Sequence, residues 1–475
     1  MSSAQPRPRA SALLLALVAC GALLTAVTAD ASSSPTVSSE PVKRSGNSGY
    51  TWWTDPLMAR KPGSFYFTGV TANGTQRVYR WGRTKARPKL HLTYTNLRKR
   101  PADDHNAPAI SMAEGRPSLV FYTGHPGTMF FRRAPTGSNP VLGRKHARAF
   151  GNEQRMPFDR PTTYAQVLRD GPRVVVLSRY LGGGQSGWYY VTSQNSGRTW
   201  TRPAELFDSE SHQAYLMVRP MDTDRSRLHV TAYYHPKHGP ENVIGYRTMS
   251  MSDFWNGRAE RFTIGALEPV WTSDQPALPG LSSLEEPRQE KEEAPAHPTP
   301  DVLEIPELPA GPQQQVDPRL PPEIVPPNTR SVRMLDVGDK RGRTMVFGAT
   351  WDASNNVPVY LQMVRRADGS WSRHTLRSAG GGYGSGNGNY IPGLTLDDRR
   401  GVDRVYYGYK SRDRWNLASA NLAANGRVGT PTVLRQSDRP LARPVVLGRD
   451  LMYQRIDRYT TYRDYFMQVK TFRLR

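Results

Sequence analysis

Trp188-Tyr189-Tyr190-Val191-Thr192, followed at once by Ser193-Gln194-Asn195-Ser196-Gly197-Arg198-Thr199-Trp200, is an aromatic and β-branched run that stops in a turn rich in Ser, Asn and Gly. The first part suits a pleated, half-buried strand, and the second supplies the residues that reverse a chain. Outward from it, about seven units each hold two or three alternating or apolar runs separated by Gly, Asn or Asp turns. Core strands are expected at Ser64 to Val70, Ser118 to Thr123, Arg173 to Ser178, Leu228 to Tyr234, Thr344 to Thr350, Arg404 to Tyr409 and Asp450 to Arg455. Apart from one insertion they recur every ~45 to 60 residues, the range of propeller blades, and seven such sheets close into a ring with short, protected edges. The expected fold is therefore all-β, a seven-bladed β-propeller. Its last unit is short, ending in Tyr465 to Phe472, so the first unit is expected to lend it a strand.

Composition agrees with short strands and many turns: 41 Gly, 40 Pro, 23 Tyr and 10 Trp in 475 residues, with no long stretch of helical period. Between Thr272 and Asn328 the pattern stops in a run crowded with Pro, Glu and Gln, such as Glu290-Lys291-Glu292-Glu293-Ala294-Pro295. Such a run buries too little apolar surface to offset its ordering entropy, so residues 272–328 are expected to be a disordered insertion in a propeller of residues 49–475.

Arg7 and Arg9 precede an apolar segment from Ala10 to Ala26, and Val27-Thr28-Ala29 suits signal peptidase. Residues 1–29 are expected to be a secretory signal, 30–48 a flexible segment, and the mature chain to be exported. Cys20, the sole cysteine, lies inside the signal; lipoprotein anchoring through it is the alternative, and no disulfide within the domain is available. No later apolar run has the ~18 residues of a membrane-spanning helix. The formal net charge of +23 points, in an exported protein, to an acidic glycan or polysaccharide partner rather than to nucleic acid.

Asp103-Asp104-His105-Asn106, then His125 in Gly124-His125-Pro126, put two of ten histidines where strands hand over to loops, the place where rigid β-scaffolds carry chemistry. Tyr164, Arg179, Tyr215 and His235 stand at comparable points beside other expected strands. In a propeller such points converge on the axis, so a cluster of His, Tyr and Arg is expected there. Asp103 and Asp104, as neighbours on an extended chain, point to opposite faces. They cannot both flank one glycosidic bond, and are read as bonding loop backbone or orienting His105. His105, His125 and His235 could ligate a divalent ion such as Ca2+ or Zn2+, but their spacings are not a metal signature.

The turn Ser193 to Trp200 resembles the Asp-box of sialidase-type propellers, with Asn195 where the acid stands; Ala367-Asp368-Gly369-Ser370-Trp371 resembles a degenerate second copy. Together with Asp103 to Ile110, Gly124-His125, Gly381-Gly382-Tyr383 before Tyr390, Arg443-Pro444-Val445-Val446 and Tyr459 to Tyr465, it makes the chain similar to BNR-repeat seven-bladed propellers. Their relatives include ulvan lyases and enzymes acting at rhamnose and glucuronate linkages. The resemblance implies cleavage of a 4-linked uronate by β-elimination, with His105, His125, Tyr164 and Arg179 catalytic and Tyr215 and His235 binding substrate. Arg179 with a histidine would stabilise the enediolate formed at C5, and the His and Tyr side chains would share the base and acid roles. A hydrolase on the same linkage and a non-catalytic glycan-binding propeller are the alternatives. A sialidase is disfavoured, since there is only one clear box and no Phe/Tyr-Arg-Ile-Pro motif.

Overall fold

The computed structural model describes residues 43–51, 53–61, 64–84, 87–113, 116–135, 150–181, 187–210, 212–234, 243–272, 332–352, 357–383 and 390–474. Their strands form seven four-stranded antiparallel sheets, the blades of a β-propeller. The first strands of the seven blades are Met58–Lys61, Ala109–Ala113, Thr162–Asp170, Ala214–Pro220, Val332–Lys340, Leu394–Leu396 and Leu441–Leu447. Along most of the ring each touches the first strand of the next blade, and Met58–Lys61 meets Leu441–Leu447, so these strands line the axis.

The seven strands expected from sequence are all second strands: Ser64–Val70, Arg116–Tyr122, Arg173–Tyr180, Arg227–Tyr234, Arg343–Asp352, Arg404–Ser411 and Asp450–Thr461. A second strand is paired along both edges and packed on both faces, so it carries the longest apolar run in its blade; every residue of Ser64–Val70 is buried. Innermost strands vary from the three residues of Leu394–Leu396 to nine in Thr162–Asp170 and Val332–Lys340, and so give a less regular signal.

Lys43–Asn47 pairs antiparallel with Asp464–Arg473, with Lys43 opposite Thr471, and completes the seventh blade. The ring thus closes through a strand lent from the N-terminal side, as the short last unit implied. Of the segment expected to be flexible at 30–48, residues 43–47 form this strand and 30–42 lie outside the described residues. Lys43-Arg44-Ser45-Gly46-Asn47 lacks apolar alternation, and its described contact is the ladder with the edge of Asp464–Arg473. The signal region and nearly all of the insertion at 272–328 lie outside the described residues.

The turn after the strand Gly187–Ser193 is built by side chains bonding backbone. Ser193 Oγ accepts the Gly197 N–H at 2.8 Å, and Asn195 Oδ1 accepts those of Arg198 and Thr199 at 3.0 and 2.9 Å. Gly197 has φ 77°, a value a side chain would strain. Trp200 then sets its ring edge-on against Phe121 and Phe131 of the preceding blade, at 5.8 and 5.6 Å. Trp371 repeats the device against Tyr246 at 5.3 Å. Both turns thus join blade to blade.

Candidate active site

In antiparallel blades the start of a first strand, the end of a second strand and the loop beyond it share one end of the barrel. Asp103, His105, His125, Tyr164, Arg179 and Tyr215 meet at that end of the axis. Asp103 stands before the first strand of blade 2 and caps a single 3-10 turn, Asp104–Asn106, its carboxylate accepting the His105 N–H at 2.9 Å. His125 lies in the loop after that blade's second strand. Asp103 bridges the two rings, with Oδ1 2.7 Å from Nδ1 of His105 and Oδ2 3.2 Å from Nδ1 of His125. The imidazoles stack at 4.3 Å with planes 12° apart.

This arrangement fixes charge states. Burial by itself would raise the Asp103 carboxyl, but the two imidazoles outweigh it and hold the group well below the usual carboxylate range. Burial, with His105 beside it, pushes His125 down to about 4 against the pull of Asp103. His125 is therefore neutral at pH 7. With an ionised Asp103 facing its Nδ1, the network assigns the proton there and leaves the lone pair on Nε2, which is buried without a partner.

Tyr164 enters from blade 3, on the innermost strand Thr162–Asp170. The register slips between Thr163 and Gln166, a bulge that puts Tyr164 at φ 62° and turns its side chain toward the axis. For a non-glycine residue that conformation costs on the order of 1 to 3 kcal/mol, the kind of strain that collects at working sites. Its ring lies 5.8 Å from that of His105 and 5.7 Å from that of His125, and its hydroxyl is buried with no partner. Burial and neighbouring Tyr215 push the phenol well above its ordinary value despite Arg179, so it keeps its proton.

Arg179 ends the second strand of the same blade, opposite Thr163. It is fully buried, with its guanidinium carbon 5.0 Å from the Tyr164 ring centre and 4.6 Å from that of Tyr215. NH1 reaches the Ala214 carbonyl at 3.4 Å, while Nε and NH2 have no partner. A buried cation held only by aromatic faces and one long hydrogen bond is costly, and is poised to take an anion.

Tyr215, on the innermost strand of blade 4, stacks on Trp53 at 4.2 Å, and Trp53 lies parallel to His105 at 6.1 Å. The tertiary structure thus brings together His105, His125, Tyr164, Arg179 and Tyr215; His235 lies outside the described residues. Trp53 was not singled out from sequence, nor was Tyr462, whose ring stands edge-on to His105 at 5.2 Å and comes from blade 7. No local pattern marks Trp53; Tyr462 falls in the Tyr459 to Tyr465 stretch already noted.

Asp103 and Asp104, expected on opposite faces of an extended chain, sit instead on a cap and 3-10 turn that brings both carboxylates to Nδ1 of His105, at 2.7 and 3.1 Å, while Asp103 orients His125 as well. Asp104 accepts from Arg443 NH1 at 3.0 Å and from the Tyr459 hydroxyl at 3.1 Å. Arg443 has φ 50° at a bulge in the innermost strand of blade 7, the same device that aims Tyr164. Burial raises the Asp104 carboxyl against these partners.

Asp103, His105 and His125 offer ligand atoms within 4.8 Å of one another. One carboxylate and two imidazoles do not suit Ca2+, which takes six to eight oxygens. They do not suit Zn2+ as placed either, because both Nδ1 atoms are turned onto Asp103 at hydrogen-bond distance and the shorter, 2.7 Å, is too close for two ligands of one tetrahedral ion. No step below runs through a metal.

The His125 pKa has a consequence for stability. In the unfolded chain the ring protonates near 6.5, in the folded protein near 4, so its contribution is present above pH 6.5 and is lost as pH falls toward 4. Asp103, also depressed, continues the loss at lower pH. Thermal melts from pH 8 to 4 should show Tm falling across that window, and His125→Gln should flatten the upper part of the fall. An unchanged slope in that variant would show that His125 is not buried neutral.

No family model and no curated protein matches the chain. Among solved structures, an ulvan lyase of polysaccharide lyase family PL25 superposes with TM-score 0.57 at 10% identity, over 90% of this chain and 95% of that chain. A PL25 ulvan lyase bound to -[GlcA(1-4)Rha3S]- gives TM-score 0.56 at 10% identity over the same shares. Polysaccharide lyase Uly1 gives 0.49 at 8% identity, over 90% of this chain and 92% of that one. The class defined in this way is a seven-bladed propeller similar in fold to polysaccharide lyases. Identities this low speak for the fold alone.

Proposed function

We propose that the chain is an exported polysaccharide lyase that cleaves a 4-linked glucuronate, of the rhamnose-glucuronate type, by β-elimination. The observation that carries this reading is the convergence, around one spot, of a buried guanidinium with two unpartnered nitrogens, an unpartnered phenol and an unpartnered imidazole nitrogen: Arg179, Tyr164 and His125. The PL25 structure with a glucuronate-rhamnose ligand on the same fold supports the substrate class.

Chemically, Arg179 takes the uronate carboxylate and offsets the second charge that builds there when the C5 proton leaves. His125, neutral with Nε2 free, accepts that proton; Asp103 then faces the imidazolium it becomes and stabilises it. His105 is clamped between Asp103 and Asp104, 2.7 and 3.1 Å from Nδ1, and forms the other wall of the site. Tyr164, held protonated, delivers a proton to O4 as the C4–O4 bond breaks and the C4–C5 double bond forms. Trp53 and Tyr215 give the sugar an aromatic floor. Hydrolysis with two carboxylates is disfavoured, since the two acids of the described cluster are committed, Asp103 to both histidines and Asp104 to His105 and Arg443.

Incubation with ulvan, gum arabic and pectin fragments while following unsaturated-uronate absorbance tests the reading. Absorbance should rise with ulvan, and His105→Ala should abolish the rise while leaving the fold intact by circular dichroism. Free rhamnose without new absorbance would indicate hydrolysis, and neither would indicate a binding module. The acid limb of kcat/KM should fall through about pH 4, where His125 takes up its proton.

A further inference from the structure

A cavity of about 450 Å3 opens between blades 5 and 6 and shares no residue with the axial site. One wall is the outermost strand of blade 5, Trp371–Ser378, which contributes Arg373, His374, Thr375 and Leu376; the other is the turn at Arg427 and Val428 in blade 6. Its floor is Gln362, fully buried on the third strand of blade 5.

Gln362 is fixed there, since its Nε2 donates to the Gly426 carbonyl at 2.6 Å, and its Oε1 is left buried with no partner. Thr375 Oγ1, lining the same cavity, is also buried without a partner. Two stranded acceptors in one cavity ask for a ligand that brings hydroxyl donors. The charge there is of one sign: Arg373, held by the Val270 carbonyl at 2.8 Å, and exposed Arg427, with no acid among the lining residues. Burial, with Arg427 and Arg366 beside it, lowers the His374 pKa, so His374 serves there as a neutral hydrogen-bonding ring. Leu376 and Val428 add small apolar surfaces of the sort a sugar ring's C–H faces contact. The size is that of a site for one or two sugar units.

We propose that this cavity is a second carbohydrate-binding site, taking an acidic sugar residue of the same polymer that the axial site acts on. Arg427 and His374 meet the carboxylate or sulfate, while Gln362 and Thr375 receive the hydroxyls. Only the ligand class rests on the reading of the axial site. Holding the polymer at a remote point raises the local concentration of cleavable linkages at the axis.

The test is calorimetric titration of the full chain carrying His105→Ala with a glucuronate-rhamnose tetrasaccharide, against cellotetraose and inorganic sulfate. Two binding events are expected for the acidic tetrasaccharide, with one lost when Arg427→Ala and His374→Ala are added. In the active protein the same pair should raise KM for polymer several-fold and leave kcat on the tetrasaccharide unchanged. Unaltered stoichiometry and unaltered polymer KM in the double variant would overturn the proposal, as would sulfate binding as tightly as the tetrasaccharide. Failure of the lyase reading shows separately, as absent turnover with the second binding event retained.

Discussion

Arg179→Ala should lower kcat/KM on ulvan by about 1,000-fold, near 4 kcal/mol of transition-state stabilisation, the upper range for removing one preorganised donor at a developing anion. In the proposed elimination the charge to be stabilised lies on a group already anionic, and Arg179 is the cation in the cluster with Nε and Nη2 unpartnered and able to form a bidentate pair. The loss should fall mostly on kcat, because the guanidinium interacts more strongly with the enediolate than with the ground-state carboxylate. Arg179→Lys should recover only part of it, since an ammonium cannot reproduce the planar fork or its packing between Tyr164 and Tyr215. Stopped assays of initial rate against substrate concentration would separate the two parameters. A variant within a few-fold of the parent would remove Arg179 from the chemistry.

Tyr164→Phe should cost 100- to 10,000-fold in kcat, about what a positioned proton donor contributes, and should at the same time leave Tm unchanged or raise it. The hydroxyl is buried and bonds nothing, so removing it relieves a desolvation penalty of about 1 to 3 kcal/mol rather than breaking a contact. Phenylalanine keeps the ring that packs beside Trp53 and carries the same cost at φ 62°. A residue whose deletion stabilises the fold while destroying turnover is retained for the reaction. Loss of activity with a fall in Tm would instead mark Tyr164 as a packing residue.

Much of this was legible in the chain. The blade period came from second strands such as Arg173–Tyr180, whose double burial forces a continuous apolar run onto the sequence. His105, His125, Tyr164, Arg179 and Tyr215 were picked out because each stands at a strand end, and strand ends at one side of a propeller have nowhere to go but the axis. The lent strand Lys43–Asn47 was foreseen as a necessity of closure but not as a segment, because an outermost strand with polar side chains looks like a linker.

What the sequence determined, then, was a seven-fold repeat of short strands and the kinds of side chain delivered to their ends, because strand burial and turn chemistry are local and leave local marks. What only the tertiary structure decided was the partnership among those side chains. Trp53 meets Tyr215 across about 160 positions and Tyr462 meets His105 across more than 350, spans over which no spacing rule operates and only ring closure sets distance. The same holds for Asp103 serving two imidazoles at once, and for Tyr164 being turned inward by a bulge. A carboxylate's partners and a backbone's left-handed turn arise from how neighbouring blades pack.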